Sequence, residues 1–215
     1  MSAIITALPS IWQGLVVTLA LSALVVLFSL IAGVILGLAI LWAPAPVRLA
    51  IRAYSDVIRS IPLLVLIFFV YYGTPALGIP LSPFWAAVIA LSAFKTGHVI
   101  EIVRGAVGSI PRGQTDAGKA IGLTFTQRLM WVILPQALRR FLPPWLNAVT
   151  DSVKGSALAS LVGVVDLMLS LQQVIGRTYE PMPIYVIGAL IYFVINFTLS
   201  SASRRLEARF AYVRD

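Results

Sequence analysis

The sequence predicts an all-α membrane protein, a single transmembrane domain over 1–215 with five membrane-crossing helices. Three observations carry this. Met1 to Val47, Ile61 to Phe94 and Pro183 to Ser203 contain no Asp, Glu, Lys, Arg or His. The chain is 60% hydrophobic and 11% charged, with a mean hydropathy of +0.96, whereas soluble domains are about one quarter charged. The uncharged stretches also reach the roughly 20 residues of helix needed to cross a hydrocarbon layer of about 30 Å.

The first span is expected over about 10–42. Leu15 to Trp42 is too long for the apolar part of a signal peptide and has no basic segment before it, so it reads as a mature helix. Gly33 and Gly37 sit at the i, i+4 spacing that lets helices approach closely in lipid. Pro44, Pro46, Arg48, Arg52, Asp56 and Arg59 mark a turn and a short amphipathic segment. The second span, about 55–74, has a short apolar part and so starts inside that segment. Gly73, Pro75, Gly78, Pro80 and Pro83 form an uncharged turn before a third span over about 84–103. Residues 104–140 are basic and broken by glycines and by Pro111. A fourth span over 141–165 is expected in two pieces, Phe141–Thr150 and Gly155–Val165, separated by Asp151 and Lys154. Asp166 to Pro183 reads as a surface-lying helix with Leu167, Leu171 and Val174 on one face, and the fifth span covers 183–203.

The basic residues orient these spans. Of 16 Lys and Arg, 13 lie in the segments 44–60, 104–140 and 204–215, while only Arg177 lies in the opposite set. The positive-inside rule therefore puts the N-terminus outside and the C-terminus in the cytoplasm. The net charge of +8 is accounted for in this way, beside apolar spans, and does not point to nucleic acid. Trp12, Trp42, Trp85, Tyr71 and Tyr72 suit anchors at the bilayer surface.

Bond-making chemistry is not expected. The chain has no Cys, a single His, no phosphate-cradling G-x-x-x-x-G-K-[ST] loop and no H-E-x-x-H pair, so catalytic residues, metal ligands and a resident cofactor are all read as none. Energy for any transport must come from an ion gradient or from another protein. The 104–140 loop offers a means for the second. After Pro111, Thr115 and Asp116 are expected to cap a short helix, Ala117 to Ile121, closed by Gly122. Small residues at Ala117, Gly118 and Ala120 make it a shallow knob suited to a groove on a partner, or otherwise simply a tight loop helix.

This loop resembles a known family. Gly113, Gln114, Asp116, Ala117, Gly118 and Gly122, followed by Val132, Leu134 and Pro135, match the spacing of the E-A-A-x3-G-x9-I-x-L-P signature of bacterial ABC importer permeases. The flanks, Glu101 to Gly105, Leu134 to Ala137, Asn147, Lys154, Ser156, Leu158, Ser160 and Arg177 to Tyr179, are similar to the permeases for polar amino acids of the histidine, glutamine, arginine and opine group. The resemblance covers nearly all the chain after Trp12. It implies a type I importer in the bacterial cytoplasmic (inner) membrane, in which a multi-pass permease pairs with itself or a sister permease. Each permease would dock the helix around Asp116 to Gly122 on an ABC ATPase subunit that holds ATP and Mg, and an extracytoplasmic solute-binding protein would deliver a polar amino acid or related solute. Coupling residues would be Gly113, Gln114, Asp116, Ala117, Gly118, Gly122, Leu134 and Pro135. The chain departs from the family at Asp116, where Glu is usual, and at Gly118, where Ala is usual; a glycine costs about 1 kcal/mol of helix propensity. Lys95, His98 and Gly155 are further departures. The competing reading is an ion-coupled secondary transporter of small polar solutes, although no inverted repeat is visible.

Charges at membrane depth need a partner or a water-filled cavity. Glu101 and Arg104, three apart, suit a structural ion pair, and Asp151 with Lys154 offers the same spacing. Lys95, His98, Asp151, Lys154, Gly155 and Ser156 are the candidate substrate-pathway residues. If Lys95 and His98 face the pathway, a cationic lining favours a substrate with negative charge; the alternative is that Lys95 meets an acid on the partner subunit.

Overall fold

The computed structural model describes the backbone of residues 2–210 and the side chains of 7–206; Arg209 and Arg214 of the basic C-terminal segment lie outside the described side chains. Nine helices follow one another among the described residues: α1 (Ser2–Trp42), α2 (Ala45–Ser60), α3 (Leu63–Gly73), α4 (Pro83–Gly108), α5 (Arg112–Ala120), α6 (Phe125–Gln127), α7 (Leu134–Gly155), α8 (Leu167–Thr178) and α9 (Pro181–Phe210). No strand occurs among them. Within this set, Ala7–Trp42, Pro83–Gly108 and Pro181–Leu206 are long and apolar enough to cross a bilayer. Two bent units, Ala45–Ser60 with Leu63–Leu77 and Phe125–Val162 with Leu167–Thr178, raise the number to as many as five.

Helix α4 is the hub. It packs along α1 and against α2, α3 and α7, and half of its residues are buried. Close approach is possible because the facing side chains are small. A methyl added at Gly33 would lie 2.5 Å from Val99 Cβ, and one at Gly37 would lie 2.8 Å from Val103 Cβ, distances real side chains do not tolerate, so the two glycines set the spacing of α1 and α4. Gly97 on α4 does the same for α2: a methyl there would meet Ile58 Cγ2 at 2.5 Å, and Ser55 Oγ donates to the Gly97 carbonyl at 2.9 Å. The main apolar core, with Leu21, Val25, Leu66, Ile67 and Leu91, lies between α1, α3 and α4.

Two expectations need correction. The second span, expected over about 55–74, is divided between two helices: α2 ends at Ser60, α3 starts at Leu63, and the two meet at 103°. Pro62 removes an N–H and holds Ile61 extended (φ −82°, ψ 131°), so the helix stops and restarts in another direction. The fourth span is not broken at Asp151 and Lys154. Helix α7 runs through both to Gly155, tightens into a 3₁₀ stretch over Ser156–Val162, and ends at Gly163 with φ +91°. One further element is more deeply packed than a surface helix: Leu167, Leu171 and Val174 of α8 are buried with Ala7, Ile11 and Ile184 from α1 and α9.

Candidate functional site

The loop between α4 and α7 is more ordered than its composition suggests. Pro111, with φ −58° and ψ 137°, sits just before α5, so the helix starts at Arg112 rather than after Thr115 and Asp116. Those two residues are inside the helix, and Asp116 Oδ1 accepts from Lys119 Nζ at 3.2 Å. The C-terminal end is a Schellman motif: Gly122 (φ +79°) donates to Lys119 O at 2.9 Å and Leu123 donates to Gly118 O at 3.0 Å. Only glycine takes that left-handed position without strain. Thr124 and Gln127 then form a capping box that starts α6. The chain passes through one π-helical turn, 128–133, into α7. Pro135 follows that turn; with no N–H to give to a carbonyl four residues back, it fits a locally widened helix.

Several bonds fix this loop to the membrane helices. Gln136 Nε2 donates to Gln114 Oε1 at 3.2 Å, Arg140 donates to the Ser109 carbonyl, and the Trp42 and Phe125 rings meet edge to face at 5.8 Å, joining the end of α1 to α6. Of the α5 residues only Gly118 is buried, beneath Arg128. Gly113, Gln114, Asp116 and Ala117 are solvent-facing, and Ile121 at the tip is 76% exposed. Leu134 and Pro135 instead line an apolar groove of about 490 Å³ with Val34, Leu38 and Val103.

At membrane depth the charges pair differently from their local spacing. Asp151 turns to α4 and takes Lys95, 56 residues away in sequence, instead of Lys154. The partners are unequal: the Lys95 side chain is 4% exposed and the Asp151 side chain 69%. Lys95 therefore finds its acid within this chain, not on another subunit. Lys95 Nζ also lies 5.8 Å from the Phe94 ring centre. The His98 ring lies 4.8 Å from the Phe94 ring, tilted by 46°, and its Nδ1 lies 3.1 Å from the Phe94 carbonyl. A carbonyl only accepts, so Nδ1 carries the proton and Nε2 is left as an acceptor in the neutral ring. One turn on, Arg104 Nε donates to Glu101 Oε2 at 2.8 Å. Lys154 points away from this group, into a groove of about 500 Å³ shared with Tyr192, Asn196, Ser200 and Arg204 of α9. Gly155 faces α3, where a methyl added to it would lie 3.5 Å from Leu63 Cδ2, while Ser156 is fully buried and bonds its own helix through Val153 O. The structure thus brings together Lys95, His98 and Asp151, and sends Lys154, Gly155 and Ser156 elsewhere.

A polar cluster absent from the sequence reading surrounds Asp166. This carboxylate is 0% exposed, caps α8 by accepting from Leu169 N–H at 2.9 Å, and pairs with no basic side chain among the described residues. Thr18 Oγ1 accepts from Leu167 N–H at 2.9 Å, and Gly14 allows the approach, since a methyl there would lie 2.6 Å from Asp166 O. Asp166 Oδ2, Ser170 Oγ and Tyr192 Oη are buried nearby without protein partners. The signal was present: Asp166 precedes an apolar helix as an N-cap should, and Gly14, Thr18 and Ser22 form a small-residue row at fourfold spacing on α1.

Comparison with known proteins follows this architecture closely. Residues 29–212 match the family described as "Binding-protein-dependent transport system inner membrane component". The chain is 36% identical over 203 residues to the "Probable glutamine ABC transporter permease protein GlnP" of Bacillus subtilis (strain 168), covering 93% of each chain. It is 34% identical over 210 residues to the glutamine transport system permease protein GlnP of Escherichia coli (strain K12), covering 97% of this chain and 96% of that one. Among solved structures, the crystal structure of an amino acid ABC transporter with histidines superposes with a TM-score of 0.91 at 32% identity, over 96% of both chains. The fold extends to an inward-facing MetNI methionine ABC transporter, with a TM-score of 0.79 at 20% identity over 94% of this chain and 96% of that one. With a family match over residues 29–212 and relatives 34–36% identical along more than nine-tenths of their length, this chain belongs to the binding-protein-dependent transport system inner membrane components.

Proposed function

We propose that the chain is the permease subunit of an ATP-driven importer for a polar amino acid or related solute, working with an ABC ATPase, a second permease copy or sister permease, and an extracytoplasmic binding protein. The observation that carries this reading is α5, a capped short helix that projects Ile121 from a loop tied to α1, α4 and α7. A helix of this kind fits a groove on an ATPase, and ATP with its Mg would be held there and not by this chain. Gly113, Gln114, Asp116, Ala117, Gly118 and Gly122 form the docking element in this reading, with Leu134 and Pro135 seating it on the membrane helices. The family membership and the amino-acid transporters among its relatives support the substrate class. In this arrangement five spans cross the bacterial inner membrane, with the N-terminus outside and α5 in the cytoplasm, as the basic residues favour.

The Lys95–Asp151 pair changes the expected selectivity. A buried lysine matched by an exposed carboxylate does not present a cationic wall; what reaches the open side is carboxylate oxygen, suited to the ammonium of an amino acid. Lys154, in its own groove, offers a separate positive charge for a carboxylate. In proteoliposomes containing permease, ATPase and loaded binding protein, uptake is expected to require ATP and to proceed without an ion gradient; gradient-driven uptake without ATP would establish the secondary-transporter reading instead. Asp151→Asn is expected to raise the half-saturating substrate concentration by about tenfold, the usual scale for one charge-assisted contact.

A further inference from the structure

We infer that Arg128 is a positioning residue for coupling, a strut that holds α5 in fixed orientation to α7, and that glycine stands at position 118 to make room for it. The inference rests on α5 being the element that meets the ATPase. The geometry is specific to three groups. The aliphatic part of Arg128 lies across the face of α5 at Gly118: a methyl added there would come 2.9 Å from Arg128 Cγ and 3.0 Å from Arg128 Cδ. The guanidinium continues past the helix end, and Nη1 donates to Leu123 O at 2.7 Å. Leu123 is itself the residue whose N–H closes the Schellman motif on Gly118 O. One side chain therefore grips both the side of α5 and its C-terminal turn.

The other end of the strut is set in the π-helical turn that leads without a break into α7. Helix α7 carries Asp151, the acid that holds Lys95 of α4. A displacement of α5 is passed through Arg128 to α7 and so to the α4–α7 contact at membrane depth. Without Arg128, α5 would keep its own ends, since neither Pro111 nor the Gly122 and Leu123 backbone bonds involve that side chain, but its angle to α7 would be loosened.

This reading opposes helix propensity at one position, and so can be tested there. Alanine is the better helix former by about 1 kcal/mol, so a purely structural role for α5 predicts that Gly118→Ala is neutral or beneficial. The strut predicts the reverse: the new methyl displaces Arg128, and solute transported per ATP hydrolysed falls by about two- to thirtyfold, the range over which single substitutions alter coupling between sites. The assay is the reconstituted transporter with its ATPase and binding protein, reading uptake and ATP hydrolysis together. Arg128→Ala is expected to lower the same ratio, Arg128→Lys to restore part of it, and Gly118→Ala to add nothing further in the Arg128→Ala background, because the two changes remove one contact. An Ile121→Cys variant of this otherwise cysteine-free chain separates the strut from the docking role on which it rests. A crosslink from it to the ATPase with an unchanged transport-to-hydrolysis ratio in Gly118→Ala overturns the strut, whereas absence of that crosslink in the assembled transporter overturns the docking role of α5 itself.

Discussion

Asp151 inside α7 and Asp166 at the start of α8 lie fifteen residues apart and are accommodated by opposite means. Asp151 keeps its carboxylate largely exposed and reaches inward to a buried lysine, so the costly member of that pair is Lys95. Asp166 is wholly buried and has a helix N-terminus in place of a cation. The dipole and free N–H groups of a helix start can support an acid where a salt bridge is absent. The contrast predicts that the group left buried, and not the presence of an acid, decides which substitution harms the fold.

The largest effect is expected at the helix start. Asp166→Leu leaves the Leu169 N–H unsatisfied in a dry site and should destabilise by about 3 kcal/mol, a fall of about 5–15 °C in the Tm of the purified protein in nanodiscs. Asp151→Asn should follow at about 2 kcal/mol, since it strands a buried ammonium, while Lys95→Met, which leaves behind only an already exposed carboxylate, should cost less than about 1 kcal/mol. Equal losses for Asp151→Asn and Lys95→Met would break the proposed asymmetry. Asp166→Asn sharpens the other half of the comparison: asparagine caps a helix about as well as aspartate, so the loss should stay below about 1 kcal/mol, and a loss as large as that of leucine would mean the charge itself is required. The smallest change is Glu101→Gln on α4, where the partner Arg104 is half exposed. Its i, i+3 pair with Arg104 should yield less than about 0.5 kcal/mol.

Charge-free stretches, glycine spacing and the closed loop helix were readable from the chain because each is a local property. Gly33 and Gly37 mark the α1–α4 contact for a reason that applies to any pair of helices in lipid, and Gly122 ends α5 because few other residues accept its backbone angles. The misreadings came from features settled across the fold. Asp151 and Lys154 looked like a break because two charges in an apolar run are costly, yet Asp151 is matched by Lys95 on another helix and α7 continues. Thr115 and Asp116 looked like caps by residue type, but Pro111, with its fixed φ, had already started the helix. The burial of Asp166 has no local signature, because it depends on Gly14 and Thr18 from the far end of the chain. The 103° turn between α2 and α3 follows from Pro62, but its angle is set by where α4 receives Ser55 and Leu66.

The glycine contacts between α1 and α4 bear on how such a protein can move. With Val99 and Val103 seated directly on Gly33 and Gly37, sliding either helix by one residue, about 1.5 Å, would drive a valine into neighbouring backbone on the other. These two helices therefore behave as one welded beam. The same holds between α8 and α9, where a methyl added at Gly188 would overlap Leu171 Cδ1, so any alternation between open and closed forms would have to be taken up at seams that carry no such interlock.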